Sequence, residues 1–249
     1  MKAAVFHAPG KITYDTVDDP ILQDENDIIL KVTSTAICGS DLHMYSGGIP
    51  QARPMVMGHE FMGIVEDVGK NIGHLKVGDR VIVPFPIACG GCFFCQHDLP
   101  SGCTNSNVEN YGPEGGILTE KGGGMFGYTD LYGGYNGGQA EYVRVPYANY
   151  GPRKVSESLT DEQLLFLTDI FPTGYTGVMW ADLKGGETVA IFGAGPVGSM
   201  AAKSAILHNA KKVIVIDTQQ YRLDQIKNLT GCETILWEDG EQTVNEIRD

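Results

Sequence analysis

Residues 188–198 read TVAIFGAGPVG and connect a predicted strand to a predicted helix. The first five residues are mostly apolar, and three glycines follow in the pattern G-x-G-x-x-G. In this pattern the first glycine permits the turn, the second lets a pyrophosphate approach the backbone, and the third lets the helix pack on the strand. The free N–H groups at the start of the helix attract phosphate. The predicted phosphate-binding residues are Gly193, Gly195, Pro196, Val197 and Gly198.

The sequence after this turn alternates strands and helices, which indicates parallel βαβ units buried on both faces. The predicted elements are strands 188–192, 212–216 and 233–236 and helices 196–208 and 220–229. Asp217 follows the second strand and lies 24 residues after Gly193. A carboxylate there can accept both hydroxyls of an adenosine ribose and would repel a 2′-phosphate. With Thr218 rather than arginine next, we expect NAD rather than NADP, and Arg222 is predicted to reach the ribose or the phosphates. A purely structural glycine turn is the alternative interpretation.

The first 150 residues are typical of short strands broken by Gly and Pro, which favours a β-barrel or sandwich-like domain. The clearest predicted strands are Lys2–His7, Ile28–Thr35, Phe61–Val68, Arg80–Pro84 and Glu141–Val145. Residues 104–138 hold eleven glycines and no apolar periodicity, so a long surface loop is predicted there.

A linking helical region is expected between these two parts. Thr160 and Gln163 have capping-box spacing, which predicts a helix from about Asp161. Pro172 is expected to interrupt that helix, and a second helical piece should run to about Asp182. The predicted domains are therefore residues 1–184 and 185–249.

Four of the six cysteines lie within fifteen residues, and they are Cys89, Cys92, Cys95 and Cys103. Their short spacings allow four thiolates to converge on one tetrahedral zinc ion. Such a closed site has no vacant coordination position, so its predicted role is structural. Two disulfides are the alternative, and the expected reducing compartment disfavours them.

Acidic residues outnumber basic residues by 31 to 18, giving a net charge of −13. This charge disfavours a nucleic-acid binder, which needs a basic face, and also disfavours binding to anionic membranes. No apolar run approaches the roughly 18 residues of a membrane span, and the first residues do not resemble a signal peptide. We therefore expect a cytoplasmic protein that binds neither nucleic acid nor membrane.

Two further motifs suggest a second metal site. Cys38 lies in ICGSDLH directly after a predicted strand, and His59 lies in Gly-His-Glu before the next one. Each motif alone is compatible with an ordinary structural role. Together with the four-cysteine run and GAGPVG, they make the chain resemble the zinc-containing medium-chain alcohol dehydrogenases over essentially its whole length. The resemblance implies a GroES-like β-barrel catalytic domain followed by an α/β Rossmann domain. Only the first half of the doubly wound sheet is present, so we expect a C-terminally truncated chain.

The resemblance implies that Cys38, His59 and Asp169 bind a catalytic zinc. Asp169 stands where the type enzymes have a cysteine, and a carboxylate is an accepted zinc ligand. This aspartate, with DIFPTGY (169–175) and GGQAEYVRVPYA (137–148), resembles the glutathione-independent formaldehyde dehydrogenase subgroup.

The same resemblance implies a reaction in which hydride passes from an alcohol or hydrated aldehyde to NAD. Ser40 would take the substrate proton, and His43 would pass it outward. Thr173 would be one of the residues that bind the cofactor. Asp41 would either bond the free ring nitrogen of His59 or be an ordinary surface aspartate. Glu60 would lie near the metal.

The implied partners are two zinc ions per chain, NAD, a small alcohol or aldehyde and further copies of the chain in a dimer or tetramer. Three alternatives stay open at this point. They are a polyol oxidoreductase similar to sorbitol and threonine dehydrogenases, a metal- and nucleotide-binding remnant without turnover, and a zinc-free NADPH reductase.

Overall fold

The structure is a computed structural model that describes residues 1–107 and 122–238, with 240, 244 and 247 beyond them. Its contacts divide the chain into two compact units, Met1–Thr168 and Asp169–Asp249. This border precedes residue 185 because the helix Ile170–Trp180 packs against the helix Pro196–Leu207. A Cβ on Gly174 would lie only 2.7 Å from the Ala201 nitrogen. The domain ranges 1–184 and 185–249 stay a prediction.

The described part of the first unit is built from antiparallel strands. These are β1 (Lys2–Ala8), β2 (Lys11–Thr16), β3 (Ile28–Thr35), β4 (Met55–Val56), β5 (Phe61–Val68), β6 (Arg80–Val83), β7 (Pro86–Ile87), β8 (Gly124–Met125), β9 (Tyr142–Val145) and β10 (Arg153–Lys154). They form one sheet in the order β2-β1-β4, a second in the order β10-β6-β5-β3-β9, and the pair β7-β8. All five predicted strands of this unit are present to within one residue at either end.

Apolar residues of the five-stranded sheet build the main core of this unit. In the register of β3 with β9, Ile28 lies opposite Val145 and Leu30 lies opposite Val143, and all four side chains are buried. Buried apolar area of this kind is the dominant favourable contribution to folding. The segments that connect the strands of this sheet are therefore anchored at both ends on a buried core.

The helical region after β10 begins as predicted but breaks at a different residue. The backbone N–H of Thr160 donates to Oε1 of Gln163 at 3.0 Å, which confirms the capping box. Helix α3 (Asp161–Leu164) passes into a 3-10 turn (Leu165–Thr168), and α4 (Ile170–Trp180) follows. The prediction that Pro172 interrupts the helix is wrong. Pro172 lies in the first turn of α4, where its missing N–H would have no intrahelical partner.

The predicted surface loop 104–138 lies partly outside the described residues, since 108–121 are not described. For residues 122–138 the prediction of a surface loop is wrong. This segment contains β8 and a 3-10 turn (Asp130–Tyr132), and the side chains of Phe126 and Tyr128 are buried. Phe126 packs with the core of the five-stranded sheet and Tyr128 with a second cluster around Phe6, so their burial depends on distant segments rather than on a local periodicity.

The second unit has a parallel sheet in the order β11-β12-β13. Its strands are β11 (Thr188–Phe192), β12 (Lys212–Asp217) and β13 (Glu233–Leu236), and its further helices are α5 (Pro196–Leu207) and α6 (Gln220–Thr230). The strand and helix alternation predicted here is confirmed. Val215 of β12 is fully buried and lies opposite Ile191 of β11, while Ala202, Ala205, Leu223 and Ile226 cover the sheet from α5 and α6.

Two short helices of the first unit, α1 (Gly39–Tyr45) and α2 (Phe93–Gln96), carry residues of the predicted sites. Among the described residues no helix is long and apolar enough to cross a membrane.

Candidate metal and nucleotide sites

Two neighbouring strands bring Cys38 and His59 together. The end of β3 pairs with the start of β5, and the N–H of Ala36 donates to the Glu60 carbonyl at 3.0 Å. Cys38 follows β3, and His59 with Glu60 precedes β5, so the side chains of all three lie at the same edge. One ligand atom of each lies within 4.8 Å of those of the others. His59 and Glu60 are buried. A thiol, an imidazole and a carboxylate in this arrangement are a donor set that suits zinc.

Two polar side chains of α1 lie beside the ring of His59. Oγ of Ser40 is 3.2 Å from Nε2, and Oδ1 of Asp41 is 3.4 Å from Nδ1. Asp41 is only 3% exposed, which excludes the interpretation as an ordinary surface aspartate. The rings of Phe85 and Tyr128 also lie nearly perpendicular to that of His59, with centroids 6.5 Å and 5.8 Å away. Serine and aspartate therefore approach opposite nitrogens of one ring.

His43 lies one turn after Ser40 on α1, and its side chain is exposed. Residues three apart share a helix face, so the two side chains lie on the same side of α1. This placement is compatible with a path from Ser40 toward solvent.

Asp169 is the first residue of the second unit and directly precedes α4. Its Oδ1 accepts a hydrogen bond from Oγ1 of Thr173 at 2.6 Å. The residue before it, Thr168, belongs to the first unit, where its carbonyl accepts the backbone N–H of Phe85 at 3.1 Å. Thr173 thus bonds the predicted third zinc ligand, a contact that the sequence did not indicate.

The four clustered cysteines converge as their spacing predicted. Their sulfur atoms all lie within 4.8 Å of one another. All six cysteines of the chain are free thiols, so the structure does not support the disulfide alternative. Cys95 and Cys103 are buried, and Cys89 and Cys92 are partly buried. Four thiols at this separation suit a closed tetrahedral metal site.

Backbone and side-chain donors surround these sulfurs. The N–H of Cys89 donates to the sulfur of Cys103 at 3.4 Å, and Nδ2 of Asn105 donates to the sulfur of Cys89 at 3.3 Å. Donation from the Cys95 backbone N–H lowers the pKa of Cys92 to about 6. Burial raises the pKa of Cys95 to about 12. At Cys92 these donors stabilise the thiolate, which is the form that binds a metal.

Each of the three glycines of GAGPVG has a separate structural reason. Gly193 has φ +99, a backbone conformation that residues other than glycine rarely adopt. Gly195 is the N-cap of α5, and a Cβ there would meet nothing within 4 Å, which leaves the space above the helix end open. A Cβ on Gly198 would overlap the carbonyl oxygen of Gly193. The turn thus has the tight bend, open approach and close packing that a phosphate loop requires.

The side chain of Asp217 is hydrogen-bonded to the backbone of this turn. Its Oδ2 accepts the backbone N–H of Ala194 at 2.7 Å, and its Oδ1 accepts that of Gln219 at 2.8 Å. Burial alone would raise the pKa of Asp217, but these hydrogen bonds and the Arg222 charge lower it below its usual value. Nη1 of Arg222 is 3.8 Å from Oδ2 of Asp217. The carboxylate is therefore ionised and faces the end of the turn.

A cavity of about 240 Å³ adjoins this carboxylate. Its lining residues are Phe192, Gly193, Ile216, Asp217, Thr218, Arg222 and Trp237. Three of these, Phe192, Ile216 and Trp237, were missed by the sequence interpretation. All three lie at the carboxyl ends of strands: Phe192 ends β11, Ile216 is next to last in β12, and Trp237 follows β13. Ligands of parallel sheets bind at these ends, so the positions gave a usable signal.

The family model named "Alcohol dehydrogenase GroES-like domain" matches residues 24–154. The chain belongs to the zinc-containing medium-chain alcohol dehydrogenase family. It is 45% identical over 252 aligned residues to the uncharacterized zinc-type alcohol dehydrogenase-like protein AdhB of Bacillus subtilis, covering 100% of this chain and 64% of that protein. It is 39% identical to a glutathione-independent formaldehyde dehydrogenase of the same species, over 94% of this chain and 59% of that protein. The solved alcohol dehydrogenase TADH from Thermus sp. ATN1 superimposes with a TM-score of 0.87 at 37% identity, covering 99% of this chain and 66% of that one.

The chain thus spans about 60% of the length of these two curated relatives. The two units are the GroES-like antiparallel domain and part of the Rossmann sheet of this family. The zinc-type relatives and the four-cysteine cluster both indicate that the metal of this protein is zinc.

Proposed function

We propose that this protein is a zinc- and NAD-dependent oxidoreductase that transfers hydride from a small alcohol or a hydrated, formaldehyde-like aldehyde to NAD. The observation that carries the proposal is the convergence of Cys38, Ser40 and His59 at the junction of β3 and β5. A relative named glutathione-independent formaldehyde dehydrogenase supports the choice of substrate class.

Cys38, His59 and Asp169 would hold the catalytic zinc, and Glu60 would lie beside it. Bound there, zinc supplies a Lewis acid that lowers the pKa of a substrate hydroxyl toward neutrality. The four cysteines of 89–103 would hold the second, structural zinc. Two zinc ions per chain are therefore expected.

Two side chains of α1 would accept the substrate proton and transfer it to solvent. Ser40 would accept it, since its hydroxyl both accepts and donates hydrogen bonds. His43 would pass it outward, because an imidazole ring can accept a proton at one nitrogen and donate one from the other. Asp41 would orient the ring of His59 through Nδ1. No protein group attacks carbon, because the nicotinamide carries the hydride.

The adenosine half of NAD would bind at GAGPVG and Asp217. The N–H groups at the start of α5 would face the phosphates, and Asp217 would accept ribose hydroxyls on the lone pairs that Ala194 and Gln219 leave unused. Arg222 lines the same cavity and would bond the ribose or a phosphate. Thr173, bonded to Asp169, would lie with the cofactor-binding residues. A dimer or tetramer and a cytoplasmic location stay predictions.

NADH formation tests this function. The full 249-residue chain would be supplied with zinc and NAD and offered formaldehyde, ethanol and sorbitol in turn. We expect NADH with formaldehyde or ethanol and none from the Cys38→Ser variant. Faster turnover of sorbitol would favour a polyol oxidoreductase. Two bound zinc ions without NADH from any substrate would indicate a metal- and nucleotide-binding protein without turnover.

A further inference from the structure

The side-chain amide of Gln139 reaches the carboxylate that faces His59. Its Nε2 donates to Oδ2 of Asp41 at 3.2 Å and to the carbonyl oxygen of Ala36 at 3.2 Å. The backbone N–H of Cys38 donates to the same Oδ2 at 2.9 Å. Two donors thus hold one oxygen of Asp41, and the other oxygen lies 3.4 Å from Nδ1 of His59.

The first unit fixes the position of Gln139 through its backbone. Its N–H donates to the carbonyl of Met57 at 2.9 Å, and its carbonyl accepts the N–H of Ala4 at 2.8 Å. Gly58, with φ +98, leaves room for the side chain, because a Cβ there would lie 2.5 Å from Cγ of Gln139. The surrounding backbone therefore holds the Gln139 amide beside Gly58 and His59, and the amide does not lie free on the surface.

The second oxygen of Asp41 has a specific need for a donor. Asp41 is 3% exposed, and within residues 1–107 and 122–238 no hydrogen bond satisfies its Oδ1. A buried carboxylate oxygen without a donor costs free energy. A shift of a few tenths of an ångström would let a proton on Nδ1 of His59 satisfy it. A histidine protonated at Nδ1 presents the lone pair of Nε2, as a metal ligand requires.

We propose that Gln139 is a positioning residue for the metal site. By fixing the carboxylate of Asp41, its amide holds His59 in the Nδ1–H tautomer with Nε2 presented as a ligand. This inference rests on the proposed metal-ligand role of His59. It adds a third member to the series Gln139, Asp41 and His59, in which each group orients the next.

Zinc affinity tests the proposal in the full chain. Gln139→Met keeps the length of the side chain and removes the amide, whereas Gln139→Glu places a second carboxylate against Asp41. Competition with a chromophoric chelator would measure the affinity of both zinc sites. We expect Gln139→Met to weaken the Cys38/His59 site about tenfold or more, as loss of a partner of a metal ligand typically does. Gln139→Glu should weaken it further at neutral pH. The four-cysteine site is the internal reference and should not change.

Gln220→Met is the matched control. In the wild type, Nε2 of Gln220 also donates to an aspartate, Asp224, at 2.8 Å, but this pair lies on the exposed face of α6. Unchanged zinc affinity in this variant is expected. Equal losses at both zinc sites of Gln139→Met would show a general folding effect and overturn the proposal, as would no loss at either.

A spectroscopic readout separates positioning from packing. In metal-free protein labelled with ¹⁵N-histidine, NMR at a pH where imidazole is neutral reports which ring nitrogen carries the proton. We expect Nδ1–H for His59 in the wild type and a mixture of tautomers in Gln139→Met, with the His59 signal assigned by its loss in His59→Ala. Identical tautomers in both would contradict the inference. A wild type that binds one zinc would instead count against the proposed function, while the tautomer comparison would still decide the role of Gln139.

Discussion

The carboxylate of Asp217 accepts the backbone N–H of Ala194 at 2.7 Å. The acid at the end of β12 thus holds the glycine turn directly, in addition to facing the adjoining cavity. Because a carboxylate offers about four lone-pair positions and two are occupied here, it retains capacity for ribose hydroxyls. Asp217 would therefore couple the glycine turn to the proposed recognition of a ribose.

Replacing Asp217 by Asn should weaken NAD binding. The amide has only one acceptor oxygen, so one of the two backbone donors loses its partner, and the charge that would repel a 2′-phosphate disappears. We expect about a tenfold or greater loss of NAD affinity, as removal of a hydrogen bond to a charged group typically costs. The preference for NAD over NADP should fall as well. Isothermal titration calorimetry would measure both, with the exposed Asp224→Asn as control. Unchanged affinity for both nucleotides would contradict this role.

The second and third glycines of the turn should respond differently to alanine. A Cβ on Gly198 would overlap the Gly193 carbonyl, so Gly198→Ala should destabilise the protein by about 3 kcal/mol, the upper end for overpacking. A Cβ on Gly195 meets nothing, so Gly195→Ala should keep its stability but lose NAD affinity. Chemical denaturation and nucleotide titration would separate the two effects. Equal stability of both variants would refute the packing argument.

The four-cysteine cluster should be needed for the local structure around α2. Cys103 is buried, and replacing it by serine should remove one zinc per chain and lower the melting temperature. Cys232→Ser is the matched control, because Cys232 is also buried but lies in the core of the second unit. Metal analysis with thermal unfolding would check this. Loss of zinc from the control and not from Cys103→Ser would contradict the assignment.

The acid stability of the first unit should depend on Asp161. Burial would raise the pKa of Asp161, but hydrogen bonds from Thr33, Arg80 and Ser34 lower it below its usual value. A lowered folded-state pKa stabilises the fold above the unfolded value of about 3.9, and this contribution is lost as the pH falls through the folded pKa.

Asp161→Asn should therefore lower the free energy of unfolding by about 2 kcal/mol at neutral pH, and the difference should shrink below about pH 4. Urea unfolding at several pH values would measure it. Asp182→Asn is the control, since the Asp182 side chain is 77% exposed. A difference that grows toward low pH would reverse the expected sign.

Local signals in the sequence predicted much of this structure. The capping box at Thr160, the glycine turn at 193–198 and the cysteine spacing each depend on residues close together in the chain, and all three appear as expected. The strands of two residues, such as Met55–Val56, are too short for a periodicity to show.

Contacts between distant segments could not be predicted in this way. Gln139 meets Asp41 only because β1 and the segment before β9 lie side by side, through the hydrogen bond from Ala4 to the Gln139 carbonyl. Burial of Phe126 likewise depends on sheet packing, since it meets Phe61 with ring centroids 5.1 Å apart. These features follow from tertiary structure rather than from any local pattern.

The zinc content of the purified chain, compared with that of Asp169→Ala, tests the proposed catalytic zinc site most directly. We propose that the sulfur of Cys38, the imidazole of His59 and the carboxylate of Asp169 share one zinc ion, while the four cysteines hold another. Elemental analysis should find two zinc ions per wild-type chain and one in Asp169→Ala, with the four-cysteine site still filled. Two zinc ions retained at full affinity in Asp169→Ala would contradict the claim.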